Sequence, residues 1–233
     1  MKKLKGLSVV FPAYNDEHTI EALVKKTLKI LPTITSSYEV IIVDDGSIDK
    51  TARILKRLQK TKDKVIVVTH AKNQGYGAAL MSGFYQAKKE LIFYTDSDGQ
   101  YDVLEIPKLV ANMDENTDMV SGFKLNRQDP WTRKLIGGLY NRFVKSLLDI
   151  SVRDIDCDFR IFRKSLIGFI KPTIKSGAFD AAFMKSLSEK NVRFREVGVH
   201  HYKRPYGHSQ FFNPKRIARS LWDVFVVWFT YAN

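Results

Sequence analysis

Cysteine is almost absent from this 233-residue sequence, in which Cys157 is the single example. No disulfide can form within the chain, and this composition favours a reducing compartment. Long apolar runs are missing as well, because no stretch reaches the roughly 18 residues that a helix needs to cross a bilayer. The charged N-terminal residues lead into a short apolar run, which predicts a first strand rather than a signal peptide.

Three common signatures of nucleotide and metal binding are also missing. No three-glycine fingerprint follows the first apolar run, and no phosphate-loop motif with Lys before Ser or Thr occurs. Histidine and cysteine do not occur at the spacing of zinc ligands. Any nucleotide or metal site in this chain is therefore built from other residues.

The sequence is strongly basic, with a formal net charge of +13. Its hydrophobic fraction of 44% is that of an ordinary folded protein. A positive balance suits an anionic partner, which is nucleic acid, an acidic membrane surface or a phosphorylated substrate. The alternative is a basic surface without a partner.

Segments with strand and helix patterns alternate through the first part of the chain. Strands are predicted at 7–11, 38–43, 65–69 and 91–95, and helices at 17–31, 49–58 and 77–88. The first strand is expected to stop at Pro12, and the first helix to end before Pro32. This alternation predicts an α/β fold with a largely parallel sheet and helices on both faces.

The pattern is less regular after residue 95. Asp102 and Glu105 have the spacing of a capping box before a helix that is expected to end at Met113. The next expected elements are a strand at 118–123, a helix at 131–147, a charged stretch at 153–160, helices near Ser165 and Ala178, and a strand at 192–199. No internal repeat or low-complexity linker divides the chain, which favours one domain with a C-terminal appendage.

Polar clusters follow three of the predicted strands. They are Tyr14-Asn15-Asp16, Asp44-Asp45-Gly46-Ser47 and Asp96-Ser97-Asp98-Gly99-Gln100. Ligands bind beyond the carboxyl ends of the strands in open parallel sheets. All three clusters are therefore expected to open on one edge of the sheet.

Asp96 and Asp98 are candidate metal ligands. Two carboxylates two residues apart in an extended segment point the same way and repel each other unless a cation or donor lies between them. Hard divalent cations prefer such oxygen ligands, and Mg²⁺ completes its shell with phosphate and water. A solvated turn is the alternative for an isolated Asp-x-Asp, but here the pair directly follows an apolar strand.

Two other segments can either contact a ligand or form turns. Asp44 and Asp45 can accept hydrogen bonds from a base or ribose, or they can belong to a turn and helix cap with Ser47. The glycines in Gly75-Tyr76-Gly77 can let the backbone approach a phosphate at a helix N-terminus, or they can be turn residues.

The ordered set of segments resembles the family 2 inverting glycosyltransferases with the GT-A fold, which is Rossmann-like. The resemblance covers about residues 7 to 212 and rests first on Phe11 to Asp16, Val43 to Ser47, Asn73-Gln74-Gly75 and Asp96 to Gln100. Ser121-Gly122-Phe123-Lys124, Asp154 to Arg160 and Arg204 to Ser209 are similar, more narrowly, to dolichyl- and polyprenyl-phosphate sugar synthases, whether mannosyl or glucosyl. It implies a hexosyltransferase that uses a nucleotide sugar and Mg²⁺ or Mn²⁺.

The resemblance also implies roles for individual residues. The donor nucleotide sugar, of UDP or GDP type, would contact Pro12, Tyr14, Asp16, Val43, Asp45, Asp96, Ser97, Lys124, Arg204 and Gln210. The metal would be held by Asp96, Asp98 and Gln100. Arg133 would bind a phosphate during the reaction, and Asp154 matches an acid on the acceptor side.

Four positions depart from the family pattern. Asp16 stands where Glu is usual, and Lys124 replaces an Arg, which gives up a bidentate fork for a point charge. Gln210 stands where the mannosyl branch has Lys, which favours a UDP donor over GDP-mannose. Asp158 stands where Gly or Ser is usual, which implies a different acceptor pocket.

The acceptor decides whether the reaction needs a base. A polyprenyl phosphate oxygen is already anionic near neutral pH, so it needs positioning more than deprotonation. A sugar hydroxyl acceptor needs a base, for which Asp154 and Asp156 are candidates. The structural alternative for these acids is pairing with Arg153 and Arg160.

The C-terminal segment, residues 213–233, is treated as separate from the catalytic domain, residues 1–212. Basic residues lead there into an aromatic and apolar face at helical spacing, which suits an amphipathic helix at an anionic membrane surface. A helix packed on the core or on a second subunit is the alternative, as is the start of a spanning helix. We therefore expect a protein on the cytoplasmic face of a membrane, with a homo-oligomer left open.

Three alternative functions compete with a lipid-phosphate transferase. One is a soluble glycosyltransferase with a hydroxyl acceptor in cell-surface polysaccharide synthesis. Another is a nucleotidyltransferase, which would carry a glycine-rich N-terminal loop that residues 12–15 do not form. The third is a nucleic-acid-binding domain, which explains the charge but not the acids that follow the strands; we expect no nucleic-acid partner.

Overall fold

The structure, a computed structural model, describes residues 4–126, 128, 131–170, 174, 178–207 and 214–232. The side chains of residues 132, 133, 214–217 and 232 are outside this description. In the described part, the strands are β1 (Leu7–Ala13), β2 (Tyr38–Asp44), β3 (Val65–Thr69), β4 (Leu91–Thr95), β5 (Met119–Leu125), β6 (Phe159–Arg163) and β7 (Phe194–His200). The α-helices are α1 (Ile20–Ile34), α2 (Thr51–Thr61), α3 (Tyr76–Gln86), α4 (Ile106–Val110), α5 (Trp131–Leu148), α6 (Phe179–Ser188) and α7 (Pro214–Ala232).

The strands form one sheet in the order β3-β2-β1-β4-β6-β5-β7. β1 pairs in parallel with both β2 and β4, and β2 pairs in parallel with β3. β6 is antiparallel to both of its neighbours, β4 and β5, while β5 and β7 are parallel. Only β6 among these strands is reversed, so its N-terminal end lies at the edge where the other strands have their carboxyl ends.

Helices cover both faces of this sheet, as the alternating pattern predicts. On one face, the side chains of Val10 and Ile41 pack with α3, α5, α6 and α7. On the other face, Val9 and Ile42 pack with α1, α2 and α4. Neighbouring residues of β1 and β2 therefore enter opposite cores, which is why these strands are apolar throughout rather than alternating.

The two prolines do not end the elements that precede them, contrary to the sequence prediction. β1 continues through Pro12, whose carbonyl accepts a hydrogen bond from Ser97 at 2.7 Å. The N and C=O of a strand residue point to the same side, so the nitrogen of Pro12 faces the same side as its carbonyl. Because β4 does not pair with β1 beyond Val10, the missing N–H of Pro12 removes no hydrogen bond from the sheet. Pro32 lies inside α1, whose last turn is held by burial of Leu31 and Ile34.

The segment after Asp102 is shorter than predicted and is not a capping box. Asp102 accepts from the backbone N–H of Leu104 at 2.9 Å, but Glu105 does not return the contact. The carboxylate of Glu105 instead binds Lys108 at 2.7 Å and His200 Nδ1 at 2.6 Å. The helical segment ends at Val110 instead of Met113.

Strand β6 is absent from the sequence prediction, which placed only a charged stretch there. Arg160 is the second residue of this strand and is completely buried. Its guanidinium donates to Asp180 at the start of α6 and to the Tyr94 hydroxyl. These partners come from distant segments, so the local sequence does not indicate that a charged residue here belongs to a buried strand.

Candidate active site

The three polar clusters lie at one edge of the sheet, as predicted. They follow β1, β2 and β4, whose carboxyl ends point the same way. The backbone N–H of Asp45 donates to the Ala13 carbonyl at 2.9 Å, and Ser97 contacts the carbonyl of Pro12. Hydrogen bonds therefore join all three clusters across the strand ends.

The loop after β1 is shaped by Asp16. Its carboxylate accepts from the backbone N–H of Tyr14 at 3.1 Å and from the hydroxyl of Ser97 at 2.5 Å. Asn15 between them has φ 58°, a left-handed conformation that Asn tolerates better than most residues. Burial raises the pKa of Asp16, while the hydrogen bond from Ser97 works in the opposite direction.

Asp45 is a structural acid in this state of the protein. Its Oδ1 contacts His70 Nδ1 at 2.6 Å and accepts from the Gln74 N–H at 2.8 Å. Its Oδ2 accepts from the Gly75 N–H at 2.9 Å. The turn interpretation therefore describes the loop before α3, because its free N–H groups bind a carboxylate of the same chain.

The neighbouring predicted nucleotide contacts are largely enclosed. Val43 has no exposed surface, and Pro12 is buried. Asp44 accepts from the backbone N–H of Ser47 at 3.0 Å, as in the turn interpretation. Tyr14 and Asp16, by contrast, are half-buried.

Asp96 and Asp98 have the surroundings of a cation site. Asp96 Oδ1 is buried and has no hydrogen-bond partner. Burial, and then the neighbouring Asp98 carboxylate, raise the pKa of Asp96 to about 8. A divalent cation would relieve both effects, so the two acids fit the predicted metal.

The rest of a cation shell would come from the substrate and solvent. No group of three or more His, Cys, Asp or Glu side chains suited to a metal occurs within the described residues. The third predicted ligand, Gln100, uses its side-chain N–H to bind the Tyr202 carbonyl at 3.1 Å, and its backbone N–H donates to Asp98 at 3.0 Å. This arrangement suits Mg²⁺, which binds one or two carboxylates together with phosphate and water.

Arg204 joins the clusters after β1 and β4. Its guanidinium lies 3.8 Å from Asp16 Oδ1 and 3.5 Å from Asp98 Oδ2. Its Nε donates to the carbonyl of Tyr206 at 3.0 Å, and the Tyr206 ring stacks on His18 at 5.1 Å. A cation predicted to bind phosphate is therefore present beside the metal-site acids.

A second group of charges lies at the end of β5. Lys124 Nζ lies 3.5 Å from Asp154 and donates to the backbone carbonyl of Asp156. Burial opposes the charge of Lys124, but Asp154 and neighbouring acids raise its pKa above the ordinary value. Burial raises the pKa of Asp156 to about 6, and Lys124 reduces that shift.

These charges line a cavity of about 180 Å³. Its walls are formed by Phe123, Lys124, Gly137, Gly138, Asn141, Arg153, Asp154 and Asp156. The predicted alternative for the acids was pairing with the two arginines of the same stretch. Arg153 instead stacks over Phe123 at 3.8 Å, and Arg160 binds Asp180, so the cavity is lined by two cations, Lys124 and Arg153, and two acids.

Sequence reasoning missed a pair of polar residues between the two charged groups. The Tyr76 hydroxyl donates to Asp158 Oδ1 at 2.8 Å. Burial, and then Asp180 and Asp96, raise the pKa of Asp158 well above its ordinary range. No spacing in the sequence signals this contact, although Asp158 stands out as a departure from the family pattern.

Two predicted site residues cannot be placed. The side chain of Arg133 and all of Gln210 lie outside the described residues. Their proposed contacts with phosphate remain predictions. The remaining predicted residues are distributed between the donor-side clusters and the cavity beside β5.

Comparison with known proteins gives one family and one fold. Residues 8–169 match the sequence model of Glycosyl transferase family 2. The undecaprenyl-phosphate 4-deoxy-4-formamido-L-arabinose transferase of Proteus mirabilis (strain HI4320) is 32% identical over 211 residues, which are 90% of this chain. The enzyme of that name from Enterobacter sp. (strain 638) is 32% identical over 225 residues, 96% of this chain. The chain spans 64% and 68% of their lengths.

Solved structures share the architecture. Glucosyl-3-phosphoglycerate synthase from Mycobacterium tuberculosis, in complex with Mn²⁺, UDP and phosphoglyceric acid, aligns with a TM-score of 0.72 and 18% identity. The alignment covers 95% of this chain and 76% of the synthase. The complex of that synthase with Mg²⁺ and UDP gives a TM-score of 0.69 at 16% identity, covering 94% of this chain and 78% of the synthase.

Proposed function

The chain belongs to glycosyl transferase family 2 and has the GT-A fold, and from this premise we propose that it transfers a sugar from a nucleotide-sugar donor to a polyprenyl phosphate. The observation that carries the donor half is the buried Oδ1 of Asp96, which has no hydrogen-bond partner, beside the Asp98 carboxylate. The acceptor half is supported by the curated relatives, whose names specify undecaprenyl phosphate.

Donor binding would use the residues after β1 and β4. When bound to Asp96 and Asp98, Mg²⁺ or Mn²⁺ would neutralise charge on the diphosphate and assist its departure as a Lewis acid. Arg204, now held by Asp16 and Asp98, would turn its guanidinium to the phosphate oxygens with charge-assisted hydrogen bonds. Asp16 and Tyr14 would border the nucleoside from the loop after β1.

UDP is the nucleotide we favour. Gln210 replaces the Lys of the mannosyl branch, which argues against a GDP donor. The solved structures that share this fold include complexes with UDP and either Mn²⁺ or Mg²⁺. Neither observation specifies the sugar.

The cavity beside β5 would receive the acceptor phosphate. Lys124 and Arg153 provide positive charge in its lining, and Asn141 provides an amide. A phosphate oxygen is already anionic at neutral pH, so these groups would hold it in line with the sugar rather than deprotonate it. Arg133, at the start of α5, would add a further phosphate contact.

A hydroxyl acceptor is the second candidate, and one observation favours it. With a pKa of about 6, Asp156 is ionised at neutral pH yet basic enough to accept a proton. Asp154 lies beside it and would share this role. If the acceptor is a lipid phosphate, no base is needed, and the two acids orient Lys124, which Asp154 contacts at 3.5 Å.

A membrane surface is the proposed site of action. α5 and α7 pack against each other, and Val224 and Val227 of α7 are buried in the core. The outer faces of both helices expose large apolar side chains: Trp131, Leu135, Ile136, Leu139, Phe143, Leu221, Trp222, Phe225, Trp228 and Phe229. We call these ten residues the α5–α7 face.

The α5–α7 face has the composition of an interfacial surface. Trp and Phe are exposed on it, and the cations Lys134, Arg142 and Arg219 lie exposed on the same two helices. Such a pattern binds to anionic headgroups with the apolar side chains in the acyl boundary. No helix in the part of the chain that the structure describes is long and apolar enough to span a bilayer. We propose peripheral binding at the cytoplasmic face, next to the lipid acceptor.

Calorimetric titration with UDP and with GDP tests the donor half. We expect one nucleotide, UDP, to bind in the presence of Mg²⁺ or Mn²⁺ and to lose at least about tenfold in affinity with chelator. Asp98→Asn should remove most of the metal dependence. Failure of both nucleotides to bind under any metal condition would contradict the proposal.

A further inference from the structure

The order of the strands arranges the proposed substrate sites along one edge of the sheet. The nucleoside contacts follow β1 and β2, and the diphosphate acids Asp96 and Asp98 follow β4. Next to β4 is β6, and beyond it is β5, which ends at the acceptor cavity with Lys124. A sugar that joins the diphosphate to the acceptor therefore lies over the end of β6.

The residue at that end of β6 is Asp158. β4 and β6 pair in antiparallel register up to Thr95 and Phe159, so Asp96 and Asp158 are the next residues of the two neighbouring strands at that end. The charge of Asp96 helps to raise the pKa of Asp158, which indicates that the two carboxyl groups are close together. Asp158 thus borders the diphosphate acid directly, on the side away from the nucleoside.

The side chain of Asp158 is anchored from one side and partly exposed on the other. The hydroxyl of Tyr76, at the start of α3, donates to its Oδ1 at 2.8 Å. Behind it, the Tyr94 hydroxyl donates to Asp180 at 2.9 Å, and the buried Arg160 binds both. This network is buried, whereas Asp158 itself stays half-buried.

We propose that Asp158, oriented by Tyr76, hydrogen-bonds the hydroxyl groups of the donor sugar and is a specificity-determining residue of this enzyme. Tyr76 and Asp180 contact the carboxyl group of Asp158 from the protein side, and its half-exposed part hydrogen-bonds the sugar hydroxyls. A Gly or Ser at this position, as the family pattern has, cannot reach as far into the cleft. This inference rests on the proposed function, because it requires a nucleotide-sugar donor in the cleft.

The test compares affinities for UDP and for UDP-sugars in the same protein. UDP-glucose, UDP-galactose, UDP-N-acetylglucosamine and UDP-arabinose are titrated with Mg²⁺ into wild type, Asp158→Asn, Asp158→Ala and Tyr76→Phe. Asp63→Asn is the matched control, since Asp63 is an exposed acid between α2 and β3. Thermal unfolding of each variant establishes that it is folded.

We expect Asp158→Ala to weaken the binding of at least one UDP-sugar about tenfold, the effect of losing a side-chain hydrogen bond, while the binding of UDP changes less than about twofold. Tyr76→Phe should weaken the binding of the same UDP-sugar by a smaller factor, and Asp63→Asn should leave all affinities unchanged. Unchanged ratios of UDP-sugar to UDP affinity for every sugar would overturn the inference. An equal loss for UDP would also overturn it, because that marks a diphosphate or metal role. Wild type that binds no nucleotide would instead refute the proposed function itself.

Discussion

Asp96 differs from an ordinary surface acid in its burial, its hydrogen bonding and the charge next to it. It follows a buried strand, one of its oxygens has no partner, and Asp98 adds a like charge. Leaving such a group ionised and unpaired costs free energy, which a bound cation offsets. The same residue therefore links metal binding, pH and stability.

Asp96→Asn should change the pH dependence of stability in chelator. The folded-state pKa of Asp96, about 8, lies above its ordinary value of 3.8. The folded protein therefore keeps a proton that the unfolded chain releases, so stability falls as the pH rises from about 4 to about 8. The Asn variant should lose this component and melt a few degrees higher than wild type at pH 8 in chelator.

Thermal melting between pH 5 and pH 8 measures this effect. Adding Mg²⁺ should raise the melting temperature of wild type at pH 8 but not that of Asp96→Asn. Asp63→Asn removes an exposed acid and serves as the control. Parallel melting curves for wild type and Asp96→Asn at every pH would refute the assigned environment of Asp96.

At the scale of helices and strands, the local sequence predicts the elements that are defined by their own residues. The strands Val65–Thr69 and Leu91–Thr95 were predicted to the residue, because short apolar runs bounded by polar residues suffice to define them. β6 was missed because Arg160 becomes a buried strand residue only through Asp180 and Tyr94. Pro32 predicts a helix end, yet burial of the flanking apolar residues outweighs one missing N–H near the end of α1.

The α5–α7 face gives a prediction at this scale. Leu139→Ser on α5 and Trp222→Ser on α7 remove side chains that are 62% and 67% exposed, so folding should be little affected. Each loses apolar surface that would enter the lipid interface, so binding to phosphatidylglycerol vesicles should weaken about tenfold for each change. Vesicle co-sedimentation measures the loss.

A matched control separates membrane contact from folding. Val224→Ala alters a fully buried residue of α7 and should lower the melting temperature while leaving the exposed face intact. We expect vesicle binding of this variant to stay near that of wild type at a temperature where it is folded. Equal vesicle binding by all four proteins would show that the α5–α7 face does not contact lipid.

At the scale of the whole molecule, the sheet order arranges the chemistry. Six strands that run in one direction bring their carboxyl ends to one edge, and the reversed β6 contributes its N-terminal end there. Family, fold and the convergence of the polar clusters could be predicted from sequence, because each depends on motifs that follow apolar strands.

The contacts between distant segments could not be predicted in this way. The sequence leaves two interpretations for Asp45, a base or ribose contact and a turn, and the hydrogen bonds that it accepts from the Gln74 and Gly75 N–H groups exist only in the folded chain. The pair of Tyr76 and Asp158 is separated by 82 positions and is created only when α3 meets the end of β6. Such pairs depend on tertiary packing, for which one sequence carries no local signal.

A direct transfer assay tests whether the protein transfers a sugar to a lipid phosphate. Wild-type protein is incubated with Mg²⁺, a panel of UDP-sugars and undecaprenyl phosphate in detergent, and products are identified by mass spectrometry. We expect one UDP-sugar to yield undecaprenyl-phosphate sugar and UDP. Omission of the lipid should abolish this product, and Asp98→Asn should reduce it at least about a hundredfold. Transfer to saccharide hydroxyls with none to the lipid phosphate would show that the proposed acceptor is wrong.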